Sequence, residues 1–114
     1  IAGTNANYNW DGAYNTGNDF KQTRDVGQYT ANLWGLFDMH GNVWEWTADW
    51  YQAAYPTGNP VVDPTGPASG SRRVARGGSW PHDVPNLRSA KRFNSPPGTR
   101  FHDIGFRVGF QKSQ

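Results

Sequence analysis

Gly35-Leu-Phe-Asp-Met-His-Gly-Asn-Val-Trp-Glu-Trp-Thr-Ala-Asp-Trp-Tyr51 is the stretch around which the chain is arranged, and it holds three of the six tryptophans. From Val43 onward it alternates, with Trp44, Trp46, Ala48 and Trp50 on one side and Val43, Glu45, Thr47 and Asp49 on the other. Period two predicts a strand with an aromatic inner face and a polar outer one. Just ahead, Asp38–Asn42 reads as a turn in which Gly41 is free to take positive φ. Asp38 stands ahead of Glu45 with turn carbonyls between them, a run of hard oxygen donors. Calcium asks for roughly six to eight such oxygens, many of them from backbone. The spacing is not that of an EF-hand, and an ordinary turn with solvated or amide-capping carboxylates fits the same residues.

Outward from this stretch, 14 Gly and 8 Pro in 114 residues predict a loop-rich, irregular chain: one domain, or part of one. A mean hydropathy of -0.84 leaves the burial to the aromatic residues, which are 15% of the chain. Each large ring can remove about 150–250 Å² from water. The absence of cysteine excludes disulfides, thiolate metal sites and cysteine nucleophiles. No run is apolar enough to span a membrane, and the start carries no signal-peptide pattern. Because the chain opens on Ile1 rather than Met, it is expected to be a processed or excised piece of something longer.

The net charge of +2 conceals an asymmetry. Seven acids face only Lys21 and Arg24 in residues 1–70, whereas nine bases face only Asp83 and Asp103 in residues 71–114. The acidic half suits a cation; the basic half can pair with it or face an anionic ligand. Nucleic acid is not expected as a partner, since the arginines lie scattered among prolines and glycines without a basic helix.

Residues 1–24 read as a long ordered loop or a disordered arm, with aromatic islands at Tyr8, Trp10, Tyr14 and Phe20 that favour order, followed by a short extended segment over Val26–Leu33. Ala53–Ser71 is a Pro/Gly surface connection. Arg73–Trp80 reads as a short strand ending in Gly77-Gly78, where backbone must approach another element closely. It is not a phosphate loop, because the glycine spacing is wrong and no Lys-Ser/Thr follows. Ser95–Asp103 is another Pro/Gly loop. Ile104–Phe110 alternates, placing Ile104, Phe106, Val108 and Phe110 inward and Gly105, Arg107 and Gly109 outward, as a closing strand. His40, His82 and His102 lack partners at metal-ligand spacing and read as solvated loop residues. Ser79 and Ser89 lack a nucleophile-elbow context.

The order Asn32-Leu-Trp-Gly-Leu-Phe-Asp-Met-His-Gly-Asn-Val-Trp-Glu-Trp46, Arg76-Gly-Gly-Ser-Trp80, Leu87-Arg-Ser-Ala-Lys-Arg92 and Ile104-Gly-Phe-Arg-Val108 resembles the formylglycine-generating enzyme family, the sulfatase-modifying-factor domain. The resemblance implies a loop-rich α+β, C-type-lectin-like fold with short antiparallel strands and little regular secondary structure. Residues 1–114 would be the C-terminal part of such a domain. It also implies two structural calcium sites. One would use the Asp38 and Glu45 side chains with the carbonyls of Gly41 and Val43. The other would use Asn7 and Asn18 (or neighbouring Asp19) with the carbonyls of Tyr8 and Phe20.

The family's copper-binding cysteine pair would fall at Ser89 and about Val84. Neither residue can form the thiolate that a soft Cu(I) centre needs, so the family's oxidation of a substrate cysteine is not expected here. Arg76 and Arg107 are expected to pair with Asp or Glu inside the domain. Trp80, Arg88, Arg92, Asn94 and Arg107 lie in segments that border the family's substrate cleft. Trp80, Phe93, Phe101 and His102 could stack on a sugar or grip a protein. The first expectation is therefore a calcium-stabilised, non-catalytic module for a carbohydrate or protein ligand, extracytoplasmic or secreted. Two alternatives stand beside it: the substrate-side half of a metal-dependent oxidoreductase of the same family, whose metal site lies in a missing N-terminal half that would be its partner, and a structural or regulatory extension of a larger bacterial protein.

Overall fold

The computed structural model describes residues 6–8, 21–58 and 61–109. Regular structure is sparse, as the glycine and proline content predicts. Four short strands, β1 (Trp44–Trp50), β2 (Arg73–Arg76), β3 (Phe93–Ser95) and β4 (Ile104–Phe106), form one sheet in the order β3-β2-β1-β4. A 3₁₀ turn spans Val84–Leu87, with a proline in its first turn.

The strands are not all antiparallel. β1 pairs antiparallel with β2 (Glu45 opposite Arg76) and β2 with β3, but β4 runs parallel to β1, with Trp44 opposite Ile104. A parallel neighbour needs a long crossover. The chain between β1 and β4 supplies it: it runs through β2 and β3, and the crossover segment 96–103 then carries it from one edge of the sheet to the other.

β1 is the strand that its alternation predicts, but its inner face is buried only at the start. Trp44 is buried, Trp46 and Trp50 are half-buried, and Ala48 is exposed. The register with β2 shifts between Trp46 and Trp50, so the second half of β1 leaves the regular ladder. There the Arg73 guanidinium covers the Trp50 ring at 3.5 Å. β4 is shorter than expected for a different reason. It is an edge strand that pairs over three residues only, leaving Phe106 (75%) and Val108 (63%) exposed. Phe110 lies outside the described residues. The expected extended segment over Val26–Leu33 is a turn followed by irregular chain. Within it the Gly27 N–H goes to the Asp38 side chain rather than to a neighbouring strand.

The turn before β1 is a junction. Gly41 N–H donates to Gly77 O (2.8 Å), Asn42 N–H to Asn7 O (2.8 Å) and Trp44 N–H to Asp103 O (2.8 Å), while Trp80 N–H donates to Asn42 O (2.9 Å). Three distant segments thus meet on four residues. Gly41 has φ +81°, and a Cβ there would collide with the Asn7 carbonyl, so no other residue serves. Gly78 (φ +77°) is constrained in the same way, since a Cβ would stand 2.9 Å from Asn86 O. That contact is the close approach the Gly-Gly pair predicts. It lets Leu87 reach the core formed with Ala6, Tyr8 and Val84.

Candidate functional site

Four of the expected cation ligands come together. Asp38, Gly41, Val43 and Glu45 line one pocket of about 330 Å³, joined by Val26, Gly27, Phe37, Asn42, Phe106 and Arg107. Strand geometry aims Glu45 to the face opposite Trp44, and the turn brings Asp38 round with φ +53°. Asp38 Oδ2 accepts from Gly27 N–H at 2.6 Å, leaving Oδ1 open. The Asn42 side chain acts as a strand partner for Arg24, accepting from its N–H (2.9 Å) and donating to its carbonyl (3.1 Å). These bonds flank Val26 and Gly27, which form one wall of the pocket.

Arg107 is paired with an acid, as expected. Its Nε–H donates to Glu45 Oε2 (2.9 Å) and an Nη–H to Oε1 (2.7 Å); a further Nη–H reaches Asp38 O (3.1 Å). The hydrogen bond to Glu45 raises the Arg107 pKa above its ordinary value, against a smaller opposing effect of desolvation. Arg76 differs from expectation: it donates to the carbonyls of Ser89 (3.1 Å) and Lys91 (3.4 Å) instead of to a carboxylate. The loop 88–91 presents backbone oxygens to it, and no acid lies in that loop.

The pocket residues fit a hard cation. Each Glu45 oxygen keeps a lone pair beyond the one that Arg107 uses. Among the described residues no group of three or more His, Asp or Glu side chains gathers, so carbonyls and water would complete the shell. Asn7 supplies a second observation. It is 1% exposed, its Nδ2 donates to Gln22 O at 2.8 Å, and its Oδ1 has no hydrogen-bond partner. An orphaned buried carbonyl oxygen costs free energy unless something satisfies it. Tyr8, its neighbour, is buried. Asn18, Asp19 and Phe20 lie outside the described residues.

The expected ligand-contacting residues divide into two groups. Arg92 donates to Gln52 O (2.9 Å) and Ala53 O (3.0 Å) and lies over the Tyr55 ring at 4.0 Å. Phe93 stacks on Trp44, with centroids 5.5 Å apart. Asn94 Oδ1 accepts from Arg72 (3.1 Å). These three are engaged within the fold. Arg88 and Phe101 are exposed, as is His102, whose ring packs 5.5 Å from half-buried Trp80. The crossover that carries Phe101 and His102 is anchored at both ends, by Ser95 Oγ on Thr99 (2.9 Å) and by Asp103 on Ser79.

That last contact belongs to a cluster that sequence reasoning missed. Ser79, fully buried, donates its hydroxyl proton to Asp103 Oδ2 (2.9 Å) and meets His82 Nδ1 at 2.7 Å. A hydroxyl has one proton, so Nδ1 must donate to Oγ. This is not a nucleophile arrangement. The serine is inaccessible, its proton goes to the carboxylate, and the carboxylate sits near the same ring nitrogen (3.7 Å) rather than behind the other one. Of the three histidines, His102 alone is exposed. His40 is half-buried with Nδ1 against Leu87 O (2.7 Å), and His82 packs edge-on to Trp44. The Ser–Asp contact spans 24 residues, and no local spacing announces it.

Comparison with known proteins gives the family. The formylglycine-generating enzyme of Streptomyces coelicolor is 40% identical over 105 residues, covering 86% of this chain and 33% of that protein. The serine/threonine-protein kinase pkn1 of Chlamydia caviae is 42% identical over 87 residues, covering 75% of this chain and 14% of the kinase. Among solved structures, Treponema denticola variable protein 1 superposes with a TM-score of 0.72 at 40% identity, over 89% of this chain and 34% of that one. The chain thus spans about a third of the enzyme and of the variable protein. With the four motifs in order, the mixed sheet and a family model matching residues 2–111, the chain belongs to the sulfatase-modifying factor enzyme 1-like domain family.

Proposed function

We propose that this chain is a calcium-stabilised, non-catalytic recognition module for a carbohydrate or protein ligand. The observation that carries the reading is the crossover 96–103. It is pinned at both ends by Ser95–Thr99 and Ser79–Asp103, yet it turns Arg100, Phe101 and His102 to solvent. A rigid frame that presents exposed polar and aromatic side chains suits binding. Arg88 and Trp80 extend that surface. The lack of any cysteine argues against the thiol chemistry of the related enzymes. The likeness to a bacterial variable protein supports recognition.

In this reading calcium adds stability to the frame. Asp38, Gly41, Val43 and Glu45 would bind one ion, and Asn7 and Tyr8, with Asn18 or Asp19 and Phe20, a second. The ion supplies charge neutralisation and loop order, not chemistry. Placement outside the cytoplasm, where calcium is abundant, goes with this reading. The test has two arms. Chelation should lower the melting temperature of the wild type, while Asp38→Asn and Glu45→Gln should respond less, with only the Asn7-side ion left to remove; a response equal to wild type in both variants refutes the Asp38–Glu45 ion. Glycan and peptide arrays probed with wild type and with Phe101→Ala/His102→Ala test recognition, which fails if the double variant retains every captured ligand. The relation to a kinase, of which the matched part is 14%, favours a regulatory extension as the second reading. Arrays without any hit would support it. Bound iron or copper with oxygen consumption by the full-length parent would instead favour an oxidoreductase.

A further inference from the structure

We propose that Arg107 is a resident counter-cation of the Asp38–Glu45 pocket, one that holds the pocket in shape without a metal and sets its divalent-ion affinity low. This rests on the calcium reading above. Parallel pairing places Gly105 beside Glu45, so Arg107, two residues on, stands next to the pocket. A Cβ on Gly105 would press on Val43 Cγ2 at 3.1 Å, so the glycine permits this close approach.

One guanidinium then touches both arms of the pocket. It forks onto the two Glu45 oxygens (2.9 and 2.7 Å) and reaches the Asp38 carbonyl (3.1 Å). A planar fork suits a carboxylate in a way that an ammonium cannot match. On the other side, Gly27 N–H fixes Asp38 Oδ2, and Asn42 ties the wall to Arg24. Both carboxylates are therefore held by protein hydrogen bonds of their own.

The same geometry fixes the charge that an incoming ion meets. Asp38 and Glu45 bring two negative charges, and Arg107 cancels one of them. Affinity of oxygen-lined calcium sites rises with the count of ligand charge, and weak extracellular sites lie on the order of 10⁻⁴–10⁻³ M. Arg107 uses one lone pair on each Glu45 oxygen, so ion and guanidinium share the carboxylate instead of exchanging on it.

Calorimetric titration with calcium chloride, alongside thermal melts in chelator, tests the proposal on this chain and its Arg107→Gln, Arg107→Lys and Asp38→Asn variants. R107Q is expected to bind calcium about tenfold more tightly than wild type, as loss of a like charge a few ångströms away predicts. Its chelated form should melt below wild type. R107K keeps the charge without the fork, and should retain wild-type affinity within about threefold while also melting lower in chelator. Equal or weaker calcium binding by R107Q overturns the proposal. If R107Q folds only with calcium present, the proposal is supported. If it does not fold at all, R107K decides, and a tenfold loss of affinity there overturns it. Silence from both wild type and R107Q at about 10 mM calcium, or undiminished binding by D38N, overturns the calcium reading itself.

Discussion

Replacing Ser79 by alanine tests the buried cluster beneath the crossover. The residue is fully buried, and its hydroxyl serves two partners, Asp103 at 2.9 Å and His82 at 2.7 Å. Removing one oxygen leaves little empty volume, so the polar effect dominates. A hydrogen bond to a charged group contributes about 1.5–3 kcal/mol, more than a neutral pair. His82 is half-exposed, and water can take over its bond, so most of the loss falls on Asp103. The expected destabilisation is about 2 kcal/mol. For a chain of this size that lowers the melting temperature by about 8 °C. Asp103→Asn keeps an acceptor oxygen but removes the charge, and should cost about 1 kcal/mol. In the double-mutant cycle, S79A and D103N should couple by about 1 kcal/mol, measured by urea or thermal unfolding. A change below about 0.5 kcal/mol for S79A, or strict additivity, would show that the crossover is not anchored there.

Gly78→Ala should cost about 2–3 kcal/mol, from positive φ together with the 2.9 Å clash on Asn86 O; an unchanged denaturation midpoint would contradict the required approach. Leu87→Ala empties the centre of the cluster with Ala6 and Tyr8, and should lower stability by about 2–4 kcal/mol in the same assay. Arg92→Ala is partly exposed, so its global cost should stay within about 1 kcal/mol. Its effect should appear instead as faster hydrogen exchange around Gln52 and Ala53, whose carbonyls it holds. Calcium at about ten times its dissociation constant should add about 1.4 kcal/mol, some 6 °C in melting temperature. The Arg107–Glu45 pair sets a sign for alkaline titration. Its raised arginine pKa contributes stability that is complete below the ordinary arginine value and is lost only as pH rises beyond it, so this pair should not bend the stability profile between about pH 6 and 10.

Some features of this protein follow from short-range chemistry alone. Alternation at Val43–Trp50 gives β1, and the Asp38–Asn42 turn and the Gly77-Gly78 pair lie where their backbone freedom is needed. The abundance of glycine and proline gives the loops. These are legible because periodicity and turn preference are properties of neighbouring residues. The folded chain alone assigns partners across distance. Arg107 meets Glu45 over 62 residues, and Ser79 meets Asp103 over 24. Which arginines are engaged, which histidine faces water and which apolar side chains of β4 stay uncovered all depend on strand register and on the parallel return of the last strand. Register is set by the packing of whole elements against one another, and no window of local sequence contains it.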